Sequence, residues 1–202
     1  RPRLDKIRPV FMLSENEDKG REHFAACFEM NYGWGLHHTL KDVVKGAKPA
    51  SAIYEHTEKV KRDFGTRGWQ MNFTQNHDEN SWSGTEIERY GKGHKTHAAF
   101  IFTAYGIPML YSGQEAGQNK RLRFFAKDTI DWSDPMQLQG FYKQLVALKT
   151  DNPAIWASEY GAPPERINAD PNIYAFKRVK GNNRVIGIMN FSARPQAMML
   201  SD

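Results

Sequence analysis

The stretch that decides the fold is His97-Ala98-Ala99-Phe100-Ile101-Phe102-Thr103-Ala104-Tyr105-Gly106-Ile107-Pro108-Met109-Leu110-Tyr111, closed by Ser112-Gly113-Gln114-Glu115. From His97 to Tyr105 nearly every side chain is apolar, the pattern of a helix buried on all sides. Gly106 interrupts it, and Ile107 to Tyr111 is a continuous apolar run of strand length. A buried helix leading into a buried strand is the repeating unit of a parallel α/β sheet. Working toward the N-terminus, Trp69 to Phe73 alternates and is β-like, then breaks at Thr74-Gln75-Asn76-His77-Asp78. Val10 to Leu13 is a further short apolar run, ending in Ser14-Glu15. Ala25 to Met30 leads into Trp34 to Val44, where Leu36, Leu40, Val43 and Val44 recur at helical spacing. Glu55 to Asp63 reads as a solvent-facing helix, and Gly84 to Lys95 as a glycine-rich charged loop.

Beyond an irregular stretch from Ala116 to Pro135, Gln137 to Leu148 reads as a helix with Leu138, Phe141, Leu145 and Leu148 on one face. After Asn152-Pro153 the pattern changes. Ile173 to Val179 and Val185 to Asn190 flank Lys180-Gly181-Asn182-Asn183, a hairpin signal. Residues 1–152 therefore read as one α/β unit, and 153–202 as part of an antiparallel β module.

Composition narrows the class. The chain has 202 residues, of which 40% are hydrophobic and 12% aromatic, enough for a packed core. No apolar run reaches the roughly 18 residues of a membrane span. The N-terminal Arg1-Pro2-Arg3-Leu4-Asp5 lacks the apolar core of a signal peptide and reads as mid-helix, so the chain is expected to belong to something longer. The net charge of +5 raises the question of nucleic acid. The basic residues are scattered among acidic neighbours, however, and the tight cluster Lys120-Arg121-Leu122-Arg123 has no accompanying nucleic-acid motif. A solvated basic surface is the better reading. With one cysteine, Cys27, no internal disulfide forms.

Three strand ends carry polar clusters: Ser14-Glu15-Asn16-Glu17, Asn76-His77-Asp78-Glu79-Asn80 and Ser112-Gly113-Gln114-Glu115. In an α/β barrel such ends converge on one face, where active sites form. Two carboxylates across one cleft are what glycoside cleavage needs, one donating a proton while the others handle positive charge at the sugar carbon. Taken singly, each cluster has an ordinary explanation as a surface residue or a turn with local side-chain bonds. Residues alone lead to an α/β enzyme with an acidic cleft. Tyr32, Trp82 and Trp132 are candidate stacking residues, although aromatics more often fill cores. Arg121 and Arg123 either reach the cleft or hold the long loop. His37-His38 and His94 to His97 lack the spacing and carboxylate of a zinc site, so no metal is expected in this chain.

Phe11-Met12-Leu13-Ser14-Glu15 resembles the fifth-strand motif of the α-amylase family of glycoside hydrolases (family 13), which bears the general acid/base. Phe73-Thr74-Gln75-Asn76-His77-Asp78 resembles its seventh-strand motif, and Gly106 to Glu115 is similar to its eighth strand. Phe28-Glu29-Met30-Asn31-Tyr32 and the stretch from Asn119 to Trp132 resemble bacterial, Bacteroidetes-like members. The resemblance implies the second half, strands five to eight, of a TIM (β/α)8 barrel, followed by a partial antiparallel β domain. It implies Glu15 as proton donor and Asp78 as the transition-state-stabilising carboxylate. His77 would bind the same sugar, Asn76 would support the loop, and Glu17 and Tyr32 would contact substrate. Glu17 is the rival of Glu15 for the acid. Glu15 is preferred because it follows the apolar strand directly. Such a donor calls for burial or a neighbouring negative charge.

The chain departs from the family in one large respect: nothing in it resembles the Gly-Phe-Arg-x-Asp motif that carries the nucleophile. A retaining enzyme without that group forms no covalent intermediate, so the chain alone is expected to be inactive. The resemblance implies an α-1,4-glucan or maltooligosaccharide substrate and no cofactor within this chain. Calcium, if used, would be held by ligands upstream of residue 1, and the compartment implied is periplasmic or extracellular, with the cytoplasm as the alternative that the residues leave open. Open strand edges predict pairing with a missing N-terminal half-barrel or self-association. The alternatives are a transglycosylase or α-glucoside isomerase of the same family, and a non-catalytic sugar-binding or structural remnant.

Overall fold

The computed structural model describes residues 2–16, 27–65, 69–168 and 170–199. Four short strands, β1 (Leu13–Ser14), β2 (Met30–Tyr32), β3 (Trp69–Asn72) and β4 (Ile107–Pro108), form one sheet in that order, each neighbouring pair parallel. Ser14 pairs with Asn31 and Asn31 with Gln70, so the strand ends lie level. β1 begins where the expected Val10 to Leu13 strand should finish. The cause is Glu29, whose carboxylate accepts from the Met12 N–H at 2.8 Å in place of a ladder partner. β4 is likewise shorter than the expected Ile107 to Tyr111 run. Met109 still donates to Asn72 O at 2.8 Å, but the next N–H on that side, that of Tyr111, turns to Gln114 Oε1 at 3.4 Å. Gly106 is required at the entry to β4. Its φ is +144°, and a Cβ there would lie 2.5 Å from Gln70 O.

Six helices accompany these strands in the described residues: α1 (Pro2–Asp5), α2 (Trp34–Val44), α3 (Ala52–Phe64), α4 (Glu86–Tyr90), α5 (His94–Thr103) and α6 (Leu138–Asp151). Leu36, Leu40 and Val43 of α2 and Ile53, Thr57, Val60 and Phe64 of α3 are buried. These three- and four-residue steps place each set on one stripe. α5 is buried on two sides: Phe100 and Ile101 join one core, Ala98 and Phe102 another. On α6 the buried stripe is Leu138, Tyr142 and Leu145. Leu148, expected on that stripe, is 36% exposed. The loop expected from Gly84 to Lys95 is instead α4, a 3-10 turn Gly91–Gly93 and the start of α5. α4 opens on a capping box, Thr85 accepting from the Glu88 N–H while Glu88 accepts from the Thr85 N–H.

The remaining strands, β5 (Glu165–Arg166), β6 (Ile173–Lys180) and β7 (Asn183–Asn190), make an antiparallel sheet in that order. Tyr174, Phe176 and Met189 enter the same core as Leu36, Leu40 and Phe100, so this sheet seats directly on α2 and α5. Burying one such large apolar side chain contributes about 1.5–3 kcal/mol. Arg178 is fully buried there, and among the described residues no carboxylate forms an ion pair with it. Its guanidinium donates to Ala162 O, Thr103 O, Ala104 O and Trp156 O at 2.6 to 3.0 Å, tying the C-terminal end of α5 to the segment before β5. Among the described residues no helix is long and apolar enough to cross a membrane.

Candidate functional site

Glu15 follows β1 at once, and its carbonyl accepts from Trp34 Nε1 at 3.3 Å, so the first residue of α2 holds this strand end. Beyond β3 the chain runs through Phe73-Thr74-Gln75-Asn76, all buried, before His77 and Asp78 emerge. His77 Nε2 lies 3.8 Å from a Glu15 oxygen and 3.7 Å from an Asp78 oxygen. One ligating atom from each of the three lies within 4.8 Å of the others. Glu15 thus has a second carboxylate beside it, but its side chain is 59% exposed, so these residues supply the neighbouring charge and not the burial. A cation would also find a histidine and two carboxylates here, although exposed acidic groups often gather without one. Glu17 lies outside the described residues.

Tyr32, at the end of β2, packs with Met71 and Phe73 and stacks on Trp34 at 5.9 Å. Burial raises its hydroxyl pKa, and the charges on Glu15 and Asp78 add to the effect. Asn76 is buried, and its side-chain Oδ1 accepts from the Glu79 N–H at 2.7 Å. This bond starts a π-helical turn, Glu79–Ser83. Asn76 Nδ2 finds no hydrogen-bond partner among the described residues.

The turn that carries His77 and Asp78 is anchored by a residue that motif reading overlooked. Glu79, 8% exposed, has His37 Nε2 at 3.0 Å, Lys41 Nζ at 3.3 Å and Arg89 Nη1 at 3.7 Å. Burial pushes its carboxyl up, but these neighbours outweigh it and hold the pKa at about 2. Burial lowers the His37 pKa; Glu79 nevertheless keeps two standing cations in Lys41 and Arg89. Its signal in the sequence was its place directly after Asp78 at a strand end. Below the turn, Glu86 is 4% exposed. Burial pushes its carboxyl up to about 7 against the Thr74, Tyr142 and Gln114 contacts.

The other candidates separate. Arg121 pairs with Glu88 at 3.0 Å and Arg123 lies 3.7 Å from Asp128, so both hold the long loop. Trp132 is exposed, and its carbonyl accepts from Gln139. His97 is buried against Tyr90 with its Nδ1 2.8 Å from Gly93 O, and burial brings its pKa to about 4. Trp82 projects from the π-helical turn beside Phe124, which in turn stacks on His77.

The family model described as the alpha amylase catalytic domain matches residues 23–169. Alpha-amylase MalA of Haloarcula japonica is 26% identical over 201 residues, covering 97% of this chain and 29% of that protein. The solved structure of a noncanonic maltogenic alpha-amylase, AmyB, from Thermotoga neapolitana superposes with a TM-score of 0.79 at 17% identity, over 95% of this chain and 44% of that one. A cyclic alpha-maltosyl-(1-->6)-maltose hydrolase from Arthrobacter globiformis gives 0.75 at 18% identity, over 92% and 43%. At these identities the two structures establish a shared fold. The chain spans less than half the length of each of these proteins.

Proposed function

This chain belongs to the alpha-amylase catalytic-domain family, and from that premise we propose that it supplies the acid/base and transition-state carboxylates of a retaining α-1,4-glucan hydrolase. The observation that carries the reading is the meeting of Glu15, His77 and Asp78, drawn from the ends of β1 and β3, within 4.8 Å. In this reading Glu15 protonates the glycosidic oxygen and later activates water. Asp78 bonds the sugar hydroxyls and offsets positive charge at the anomeric carbon, and His77 fixes the same ring. Tyr32 contacts the substrate, and Asn76 holds the turn that presents His77 and Asp78. Residues 1–152 then correspond to strands five to eight of a (β/α)8 barrel and residues 153–202 to part of the β domain that follows. The parallel order β1-β2-β3-β4 supports this.

The nucleophile comes from a preceding half-barrel, which the outer edges of β1 and β4 meet; failing that, they pair between copies. Turnover of dye-labelled amylose tests the assignment. The enzyme containing this chain should lose at least about a thousandfold in kcat on Glu15→Gln, within the range of general acid–base catalysis, while still binding maltooligosaccharide. The 202-residue chain alone should show no turnover. Inactivation by Glu17→Gln with Glu15→Gln active would transfer the acid to Glu17, and robust turnover by the chain alone would overturn the mapping.

A further inference from the structure

Trp82, Phe124 and Phe125 are 62%, 37% and 88% exposed. Large apolar rings in water are costly, and three together call for an explanation. They form a continuous surface with the acid site. The His77 ring stacks on Phe124 at 5.8 Å, Phe124 meets Trp82 at 5.3 Å, and Phe125 lies 4.7 Å from Phe124 and 6.3 Å from Trp82. We infer that Trp82, Phe124 and Phe125 form a sugar-stacking platform that receives the α-glucan chain as it leaves the Glu15–His77–Asp78 site. This deepens the proposed function and rests on it.

Two further observations favour a glucan over a protein partner. The two segments that carry the rings are tied together before anything binds. Ser81 Oγ donates to Leu122 O at 2.8 Å, the Leu122 N–H to Asn80 Oδ1 at 2.7 Å and Asn80 Nδ2 to Lys120 O at 3.2 Å. These bonds lace the π-helical turn to the loop that carries both phenylalanines. A laced platform loses little conformational freedom on binding, which suits a ligand with few atoms in contact. A π-helical turn inserted beside a site is itself a frequent functional device. The rings are also not coplanar: Trp82 makes 43° with Phe124 and 60° with Phe125, and the two phenylalanines make 77°. A flat β-linked glucan needs parallel faces in a row. The curved path of an α-1,4-linked chain presents successive sugar faces at an angle to one another, as these rings do.

The test is isothermal titration of the chain with maltoheptaose and with cellohexaose, comparing wild type with Trp82→Ala, Phe125→Ala and Trp82→Phe. Circular dichroism checks that each variant is folded. Wild type should bind maltoheptaose. Each alanine variant should weaken binding about five- to tenfold, and Trp82→Phe should stay within about twofold. Cellohexaose should not bind measurably. Unchanged affinity in both alanine variants, equal binding of cellohexaose, or no maltoheptaose binding by wild type would each overturn the platform. The Glu15→Gln turnover assay reads the acid site separately, so loss of the platform leaves that assignment to stand or fall by itself.

Discussion

Replacing Glu86 by glutamine should make the protein more stable in alkali while leaving it unchanged in acid. Glu86 is 4% exposed, accepts from Tyr142 OH at 3.2 Å, and has one carboxyl oxygen without a hydrogen-bond partner among the described residues. Burial lifts its pKa from 4.5 to about 7 in the folded chain. The unfolded chain, with the ordinary value, loses its proton first. Between these two values the folded state therefore binds more protons than the unfolded state, and stability falls as pH rises. At about 1.4 kcal/mol per pH unit of separation, the full loss is about 3 kcal/mol, complete above pH ~7. It is absent below pH ~4.5. Glutamine carries no charge to desolvate, and its amide places a donor where the protonated acid has one. Thermal unfolding of wild type and Glu86→Gln at pH 5 and pH 8 reads the difference. A chain of this size shifts by about 2–4 °C per kcal/mol, so Glu86→Gln should exceed wild type by about 6–12 °C at pH 8 and lie close to it at pH 5. The buried histidines titrate in both proteins and cancel in the comparison. A melting difference that is the same at both pH values would refute the reasoning.

Two further perturbations follow from buried charges. Arg178→Met leaves four carbonyls, three of them buried, without their donor, and urea unfolding should show a loss of about 3–5 kcal/mol, with Arg178→Lys recovering only part because one ammonium replaces a planar fork. A loss under about 1 kcal/mol would mean the carbonyls find other partners. Glu79→Gln removes the acid that faces His37, Lys41 and Arg89; it should cost about 3 kcal/mol and speed amide exchange across residues 77–83 before the rest of the fold. Uniform exchange changes would show that Glu79 does not anchor that turn in particular.

Much of the architecture is written locally. The apolar spacing of Leu36, Leu40 and Val43 specifies one buried helical face, and Gly181-Asn182 between two β-like runs specifies the hairpin, whose register pairs Lys180 with Asn183. These signals act over a few residues, so reading them requires no partner. Other features depend on distant chain. β1 and β4 are shorter than their apolar runs because Glu29 takes the Met12 N–H and Gln114 takes that of Tyr111. α4 was legible in Thr85 and Glu88, but charge and glycine in the same stretch masked it.

The site divides along the same line. The polar clusters after Leu13 and after Phe73 were readable as strand ends, and resemblance singled out Glu15, His77 and Asp78. That the three side chains come within reach of one another follows from the parallel register Ser14–Asn31–Gln70, which no local pattern encodes. The Glu79 anchor draws on α2 and α4, and the Trp82 platform on a loop some forty residues downstream of it. The sequence by itself determines element type and residue chemistry, because backbone preference and burial pattern are short-range. The tertiary structure decides which charges and rings meet, because that rests on pairing and packing between segments far apart in the chain.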